Sequence, residues 1–192
     1  MSLPATVLLV RHAWAGERGT VPDDRSRALD ELGRRQALAL PDHLDSALAA
    51  RGRPRLRESA ADHALVLVSS PLLRCVDTLV PLGNRTGIPV VADERLAEMP
   101  PSTRSRDGWP DAAELGARAR AGLGDAAART PAGGTLVVCA HGEVLPALVA
   151  VLVGSGELDP TDVDLTAKAM PKGATWVLTP AARTLEELSA PA

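Results

Sequence analysis

The stretch Thr6-Val-Leu-Leu-Val10 runs directly into Arg11 and His12, and the stretch Leu136-Val-Val-Cys-Ala140 ends on His141. Both runs are short and apolar, which is typical of buried strands. In an α/β protein the carboxyl ends of the strands open onto the binding crevice, so we expect the two imidazoles to meet there. A guanidinium group matches the geometry of phosphate. The sequence therefore predicts phosphoryl transfer through a histidine nucleophile.

Apolar runs alternate with amphipathic stretches along the chain, which predicts a mainly parallel sheet covered by helices on both faces. Further strands are predicted over Leu65–Ser69 and residues 88–92, and an edge hairpin over residues 174–178 and 183–185. Helices are predicted over Glu31–Ala50 and residues 71–82, 111–128 and 143–153. Residues 14–28 and 94–111 are predicted as loops because they lack a clear period and are rich in turn-forming residues.

Local signals mark the ends of the first long helix. Asp30 is its predicted N-cap, and Gly52 lies just past its end. Pro41 predicts a kink or a restart inside it. The basic run at residues 51–57 is interpreted as a solvated loop, not as a contact to nucleic acid, because the balance elsewhere is acidic.

Composition indicates a soluble enzyme in the cytoplasm. A chain of 192 residues suits one domain over residues 1–192, and its net charge of -3 argues against a nucleic-acid partner. No apolar run approaches the ~20 residues of a membrane span, and the first residues lack the pattern of a signal peptide. Cys75 and Cys139 lie in apolar stretches, so both are expected to be buried reduced thiols.

Three other kinds of site are disfavoured by spacing. A cysteine-dependent phosphatase would need an arginine six residues after its cysteine, where this chain has Pro81 and Leu145. A P-loop hydrolase would need a glycine-rich loop ending in Lys-Ser/Thr, and the sequence contains none. The four histidines show no ligand spacing, so neither a metal nor another cofactor is predicted.

Two further motifs also place a candidate phosphate-binding group directly after a predicted strand. Ser69-Ser-Pro-Leu-Leu-Arg74 places an arginine in the first turn of a helix, and Ala140-His-Gly-Glu143 places the second histidine at the entrance of another. Helix N-termini carry unpaired N–H groups and a partial positive charge, so both positions favour a bound phosphate.

With these blocks in this order, the chain resembles the histidine phosphatase superfamily. Residues 27–37 resemble its "RPLTERGRRQA" segment, and residues 69–78 resemble its "SSPLxRxxxT" segment. The resemblance implies a phosphoglycerate mutase-like fold, which is a three-layer α/β/α architecture. Within the family, the chain is most similar to small bacterial phosphohistidine phosphatases and Nudix-associated domains. It departs from the family at Ala13, where glycine is usual, and an alanine with negative φ should leave catalysis intact.

The resemblance also implies a role for each site residue. His12 should attack phosphorus through a neutral ring nitrogen while its other nitrogen donates to a backbone carbonyl. Arg11, Arg74 and His141 should bind the phosphoryl oxygens. A further arginine is expected in the phosphate pocket, with Arg27 matching the family and Arg18 competing for the role.

The general acid is left open between Glu98, which sits at the family's matching place, Glu143, and no residue at all. The expected function is a phosphatase acting on a phosphomonoester, a nucleotide phosphate or phosphohistidine, with a phosphorylated small molecule or phosphoprotein as partner. The alternatives are a phosphomutase, or a non-catalytic phosphate- or nucleotide-binding module that would be expected to lose His12 or His141. The sequence predicts no oligomeric state.

Overall fold

A six-stranded sheet forms the centre of the protein. The structure is a computed structural model that describes residues 3–99, 109–159 and 170–192, with only the backbone described at residues 109 and 110. The strands are β1 (Thr6–Arg11), β2 (Leu65–Ser69), β3 (Val90–Ala92), β4 (Thr135–Ala140), β5 (Thr175–Thr179) and β6 (Thr184–Leu188). Their order across the sheet is β3-β2-β4-β1-β5-β6.

The register of the sheet brings three strand ends to one edge. The four strands from β3 to β1 are parallel, and β5 and β6 add an antiparallel hairpin at one side, as predicted. Arg11 on β1 is level with Ala140 on β4, and Ser69 on β2 is level with Cys139 on β4. The residues that follow these strands therefore leave the sheet side by side.

Helices cover both faces of the sheet, which confirms the predicted α/β/α architecture. They are α1 (Glu31–Ala50), α2 (Leu56–Ala61), α3 (Leu73–Thr86), α4 (Trp109–Arg129) and α5 (Val144–Gly154). Leu8 on β1 packs in one apolar cluster with residues of α1, α2 and α3. Leu9, the next residue, packs in a second cluster with residues of α4 and α5. The alternation follows from the pleat of a strand, which sends successive side chains to opposite faces.

The first helix begins as predicted and continues past its proline. Asp30 caps it, since its carboxylate accepts from the Gly33 N–H at 2.8 Å. Gly52 lies just past its end with a φ of +64°. Pro41 lies inside the single 20-residue helix, so the predicted restart is wrong. Pro41 is itself buried.

Other boundaries differ because tertiary contacts override local sequence signals. The basic run at residues 51–57 is not only a loop, since α2 begins inside it at Leu56, which is buried. The Leu56 N–H donates to Asp45 at 2.7 Å, a cap that comes from α1. The third helix passes through Pro81 and ends at the left-handed Gly87.

The predicted loop at residues 94–111 contains a short 3-10 turn at Glu94–Leu96, and α4 starts inside it at Trp109. Residues 100–108 lie outside the described part of the chain. In the described ranges, none of the helices combines the length and the apolar character needed to cross a membrane.

Candidate active site

The strand end that carries His12 is fixed by hydrogen bonds from three directions. The His12 N–H donates to the Ala140 carbonyl at 3.0 Å, and the Gly173 N–H donates to the His12 carbonyl at 3.1 Å. The N–H of Ala13 donates to Thr78 Oγ1 at 3.0 Å. The backbone around the first imidazole is therefore tied to β4, to the loop before β5 and to α3.

The His12 ring is neutral, and its hydrogen has a defined place. Nδ1 lies 2.7 Å from the Ala13 carbonyl oxygen, and a carbonyl can only accept, so Nδ1 carries the hydrogen. Burial lowers the pKa of His12 to about 3, and the charges of Arg74, Arg11 and Lys172 also lower it, while the bond to Ala13 raises it. Nε2 therefore keeps its lone pair at neutral pH, which is the state that a nucleophile needs.

His141 is the second buried imidazole, and its ring centroid lies 5.3 Å from that of His12 at an interplanar angle of 62°. Burial holds the pKa of His141 well below its ordinary value, and the charges of Arg74 and Arg11 lower it further. Nε2 of His141 lies 2.8 Å from Ser70 Oγ. A hydroxyl can donate or accept, so this contact lets either ring nitrogen of His141 carry the hydrogen.

Two guanidinium groups lie near the imidazoles, that of Arg74 fully buried and that of Arg11 half-buried. The Nε atoms of Arg11 and Arg74 are both buried without a hydrogen-bond partner among the described residues. Arg11 also donates to the Met170 carbonyl and packs against Gly142, where an added Cβ would lie 2.5 Å from the guanidinium carbon. The glycine of the second histidine motif thus makes room for the arginine of the first. The two N–H groups offer unused donors to an anionic ligand.

The remaining donors of Arg74 are bound to acidic groups. Arg74 is fully buried, donates to the Asp24 carbonyl at 2.9 Å and lies 3.3 Å from the Asp24 carboxylate. It also pairs with Glu98. The second carboxylate oxygen of Glu98 accepts from Arg18 at 2.9 Å. Glu98 therefore joins two guanidinium groups at the site.

Arg18 and Arg27, the two candidates for an extra phosphate ligand, take different positions. Arg27 is buried, and it pairs with Asp24 at 2.7 Å and donates to the Gly16 carbonyl at 2.9 Å. The side chain of Arg18 is 55% exposed, and its charge lowers the pKa of His141. Arg27 thus holds the loop that carries Asp24, and Arg18 leaves part of its guanidinium group accessible.

Comparison with known proteins agrees with this arrangement. The profile of the histidine phosphatase superfamily (branch 1) matches residues 7–104. The chain belongs to the histidine phosphatase superfamily. An 8-oxo-(d)GTP phosphatase from Mycolicibacterium smegmatis is 32% identical to it over 179 residues, which are 90% of this chain and 44% of the relative. The chain therefore spans less than half the length of that relative.

Solved structures share the fold of this histidine phosphatase family member. A mycobacterial glucosyl-3-phosphoglycerate phosphatase, solved with VO3, aligns over 97% of this chain and 98% of its own with a TM-score of 0.66 and 23% identity. The protein histidine phosphatase SixA, solved with tungstate, aligns over 95% and 94% with a TM-score of 0.53 and 16% identity. At these identities the likeness shows the fold, which confirms the predicted phosphoglycerate mutase-like class.

The predicted site residues of this family member gather at one edge of the sheet. His12, His141, Arg11 and Arg74 lie together, and Glu98 contacts Arg74. The other acid candidate, Glu143, is the N-cap of α5, and its charge raises the pKa of Arg11. Within the described residues, no group of three His, Cys, Asp or Glu side chains could hold a metal ion.

Three residues of the site were missed by the sequence reasoning, namely Asp24, Ser70 and Lys172. Asp24 is the first residue of a short 3-10 turn at Asp24–Ser26, three residues before Arg27, and nothing in its local sequence indicates that it also pairs with Arg74. Ser70 lies inside the block at residues 69–78 that resembles the family, so that block carried its signal. Lys172 lowers the pKa of His12, which places its charge near the nucleophile.

Proposed function

We propose that this protein is a phosphatase that passes the phosphoryl group of its substrate to Nε2 of His12 and then to water. The observation that carries the proposal is the pair of buried, unpartnered Nε donors of Arg11 and Arg74 beside two neutral imidazoles. An unpaired buried donor is costly, and a phosphoryl oxygen would satisfy both. Phosphoryl transfer relies on such positioned charge.

In the first step the lone pair on Nε2 of His12 attacks phosphorus, and the bond from phosphorus to the leaving oxygen breaks. Arg11, Arg74 and His141 hold the non-bridging oxygens as the charge on them changes. In the second step a water oxygen attacks the phosphohistidine, the P–N bond breaks, and inorganic phosphate leaves. The Nδ1–H group of His12 donates to the Ala13 carbonyl throughout, which keeps the ring oriented.

The general acid of the first step is part of the proposal, with Glu98 as its first candidate and Glu143 as its second. Glu98 contacts Arg74, so it lies beside a group that binds phosphate in this scheme. It also pairs with Arg18, so a substrate has to share or displace one of these contacts before Glu98 can donate a proton. This arrangement favours substrates whose leaving group departs as a stable anion.

The substrate class remains a phosphomonoester, a nucleotide phosphate or the phosphohistidine of a protein. The relative whose name is 8-oxo-(d)GTP phosphatase supports the nucleotide class. We also propose that residues 1–192 form one domain and that the protein acts in the cytoplasm. The two free, buried cysteines agree with a reducing compartment.

Release of inorganic phosphate from a generic aryl phosphate tests the proposal directly. The wild-type protein should turn the substrate over, and a folded His12→Ala variant should not. Circular dichroism and thermal unfolding of both proteins separate a lost nucleophile from a lost fold. A folded His12→Ala variant that retains more than a few per cent of the activity contradicts the mechanism.

A further inference from the structure

Trp14 and Lys172 form a pair beside the phosphoryl pocket that the reaction above does not use. Lys172 Nζ lies 3.9 Å from the centroid of the Trp14 ring, within the range of a cation–π contact. Trp14 is two residues after His12. Lys172 precedes Gly173, whose N–H donates to the Arg11 and His12 carbonyls. The pair therefore flanks the nucleophile on two connected backbone segments.

The backbone of Trp14 is fixed while its ring stays at the surface. Its N–H donates to Gln36 Oε1 at 3.1 Å, and its carbonyl accepts from the Asp30 N–H at 3.2 Å. Gly33 packs directly on it, since an added Cβ there would lie 1.7 Å from the Trp14 oxygen. Trp14 is nevertheless 43% exposed, whereas Trp176 is fully buried in the core. The chain thus holds an aromatic ring in place without burying it.

The cation of the pair also differs from the arginines around it. Arg18, Arg27 and Arg74 each pair with a carboxylate of Asp24 or Glu98. No carboxylate in the described part of the chain lies within ion-pair distance of Lys172. Burial lowers the pKa of Lys172, and the neighbouring charges of Arg11, Arg27 and Arg18 lower it as well, while the charge of Asp30 raises it. An anionic group bound at this ammonium would relieve that repulsion.

We infer that Trp14 and Lys172 form a second subsite that selects a nucleoside diphosphate, with the base stacked on the exposed part of the indole and the inner phosphate bound by the ammonium. An aromatic platform next to an unpaired cation is the combination that recognises a base linked to a phosphate. The terminal phosphate would then lie at His12, Arg11 and Arg74. This inference rests on the proposed phosphatase function and names its substrate class.

The chemistry of the diphosphate fits the site. Nε2 of His12 attacks the terminal phosphorus, the bridging P–O bond breaks, and a nucleoside monophosphate leaves as an anion. Water then releases inorganic phosphate from His12. A phosphate leaving group needs little help from a general acid, which agrees with the engagement of Glu98 by two guanidinium groups.

Three substrates distinguish the contribution of Trp14 from that of Lys172. A nucleoside diphosphate such as GDP offers both the base and the second phosphate, pyrophosphate offers only the second phosphate, and glycerol phosphate offers neither. We expect the wild type to have the highest kcat/KM for GDP. Trp14→Ala should lower kcat/KM for GDP by roughly 5- to 100-fold, as expected for loss of one stacked base, and should lower it much less for pyrophosphate.

Lys172→Gln should lower kcat/KM roughly 10-fold or more for both diphosphates and clearly less for glycerol phosphate. Trp14→Phe and Lys172→Arg should restore most of each loss because they keep the ring and the charge. Leu38→Ala, which truncates an exposed apolar side chain, and Arg57→Gln, which removes an exposed cation on α2, are the matched controls. Both controls should retain the wild-type preference among the three substrates.

The outcomes distinguish this inference from the proposed function. If Trp14→Ala and Lys172→Gln change kcat/KM equally for all three substrates, or if the wild type prefers glycerol phosphate, the subsite is absent although the phosphatase mechanism stands. A His12→Ala variant that still hydrolyses GDP contradicts the mechanism itself. A preference for pyrophosphate over GDP that only Lys172→Gln removes overturns the part of the inference that concerns the base.

Discussion

His12 and His141 follow two neighbouring parallel strands, and both rings are buried and neutral, yet different groups hold them. Nδ1 of His12 contacts a backbone carbonyl at 2.7 Å. This contact fixes the hydrogen on Nδ1 and leaves the lone pair on Nε2. His141 contacts the Ser70 hydroxyl at 2.8 Å, which can donate or accept. Similar burial of the two rings is therefore compatible with different roles for them. The carbonyl makes one ring a nucleophile, and the hydroxyl allows the other ring to present a hydrogen to a phosphoryl oxygen.

Replacing each histidine by alanine should give the largest contrast. His12→Ala should leave no measurable turnover, because it removes the Nε2 lone pair that attacks phosphorus in the proposed mechanism. His141→Ala should leave slow turnover, with kcat lowered about 10²- to 10³-fold, the typical cost of one transition-state donor. Steady-state assays on an aryl phosphate measure both. Equal residual activity in the two variants would remove the distinction between nucleophile and donor.

The arginines beside each ring should have the next largest effects. Arg11→Ala and Arg74→Ala should each lower kcat roughly 10²- to 10⁴-fold, and their effects should not add, because both act on one phosphoryl group. Arg74→Lys should rescue little, since one ammonium cannot contact Asp24 and Glu98 and also present a separate donor to phosphate. Arg85→Ala, which removes a surface ion pair on the same helix α3, is the control and should be near wild type. Full activity of Arg74→Lys would mean that Arg74 contributes only charge.

Changing Glu98 should have an effect that depends on the leaving group. If Glu98 donates the proton, Glu98→Gln should slow alkyl phosphates by about 10²-fold or more and nitrophenyl phosphate far less. Glu94→Gln, which removes an exposed ion pair with Arg25, serves as the control. Equal slowing of both substrates would take the acid role away from Glu98. It would also favour diphosphates or phosphohistidine as substrates.

The pH dependence should be the smallest effect near neutrality. Because the pKa of His12 is lowered to about 3, the reactive neutral ring is lost only as the pH falls through that value, not through 6.5. The unfolded chain binds a proton at His12 from about pH 6.5 downward, whereas the folded chain does not. The free energy of unfolding should therefore decrease as the pH is lowered from about 6.5 to 3. Nitrogen NMR of His12 at pH 6 should show a neutral ring with the hydrogen on Nδ1. An imidazolium signal at that pH would contradict the assignment.

The positions of both histidines could be predicted from the sequence, because short apolar runs indicate where the strands end. The short apolar runs before His12 and His141 located both rings, and the rule that parallel strand ends share one edge brought them together. The carbonyl contact of His12 was also expected. The Ser70 contact was not, because it depends on how β2 and β4 align. Helix α2 was missed for a similar reason, since Asp45 of another helix caps it.

The loops were the least predictable part of the site. Asp24 pairs with Arg27 three residues away and with Arg74 50 residues away, and no local signal indicates the second pairing. Lys172 lies near His12 because the N–H of the next residue, Gly173, donates to the Arg11 and His12 carbonyls. Contacts of this kind arise from packing, so the sequence indicated the groups that follow the strands but not that Asp24 and Lys172 join them.

Trapping the phosphorylated protein tests the central assignment of His12 most directly. Brief reaction with a phosphate-labelled substrate, followed by denaturation and peptide mass spectrometry, should place the label on His12. The label should be lost in acid and kept in base, as expected for a phosphoramidate. His141→Ala should still accept label at His12, and His12→Ala should accept none. Label on His141, on a cysteine or on a carboxylate would contradict the account.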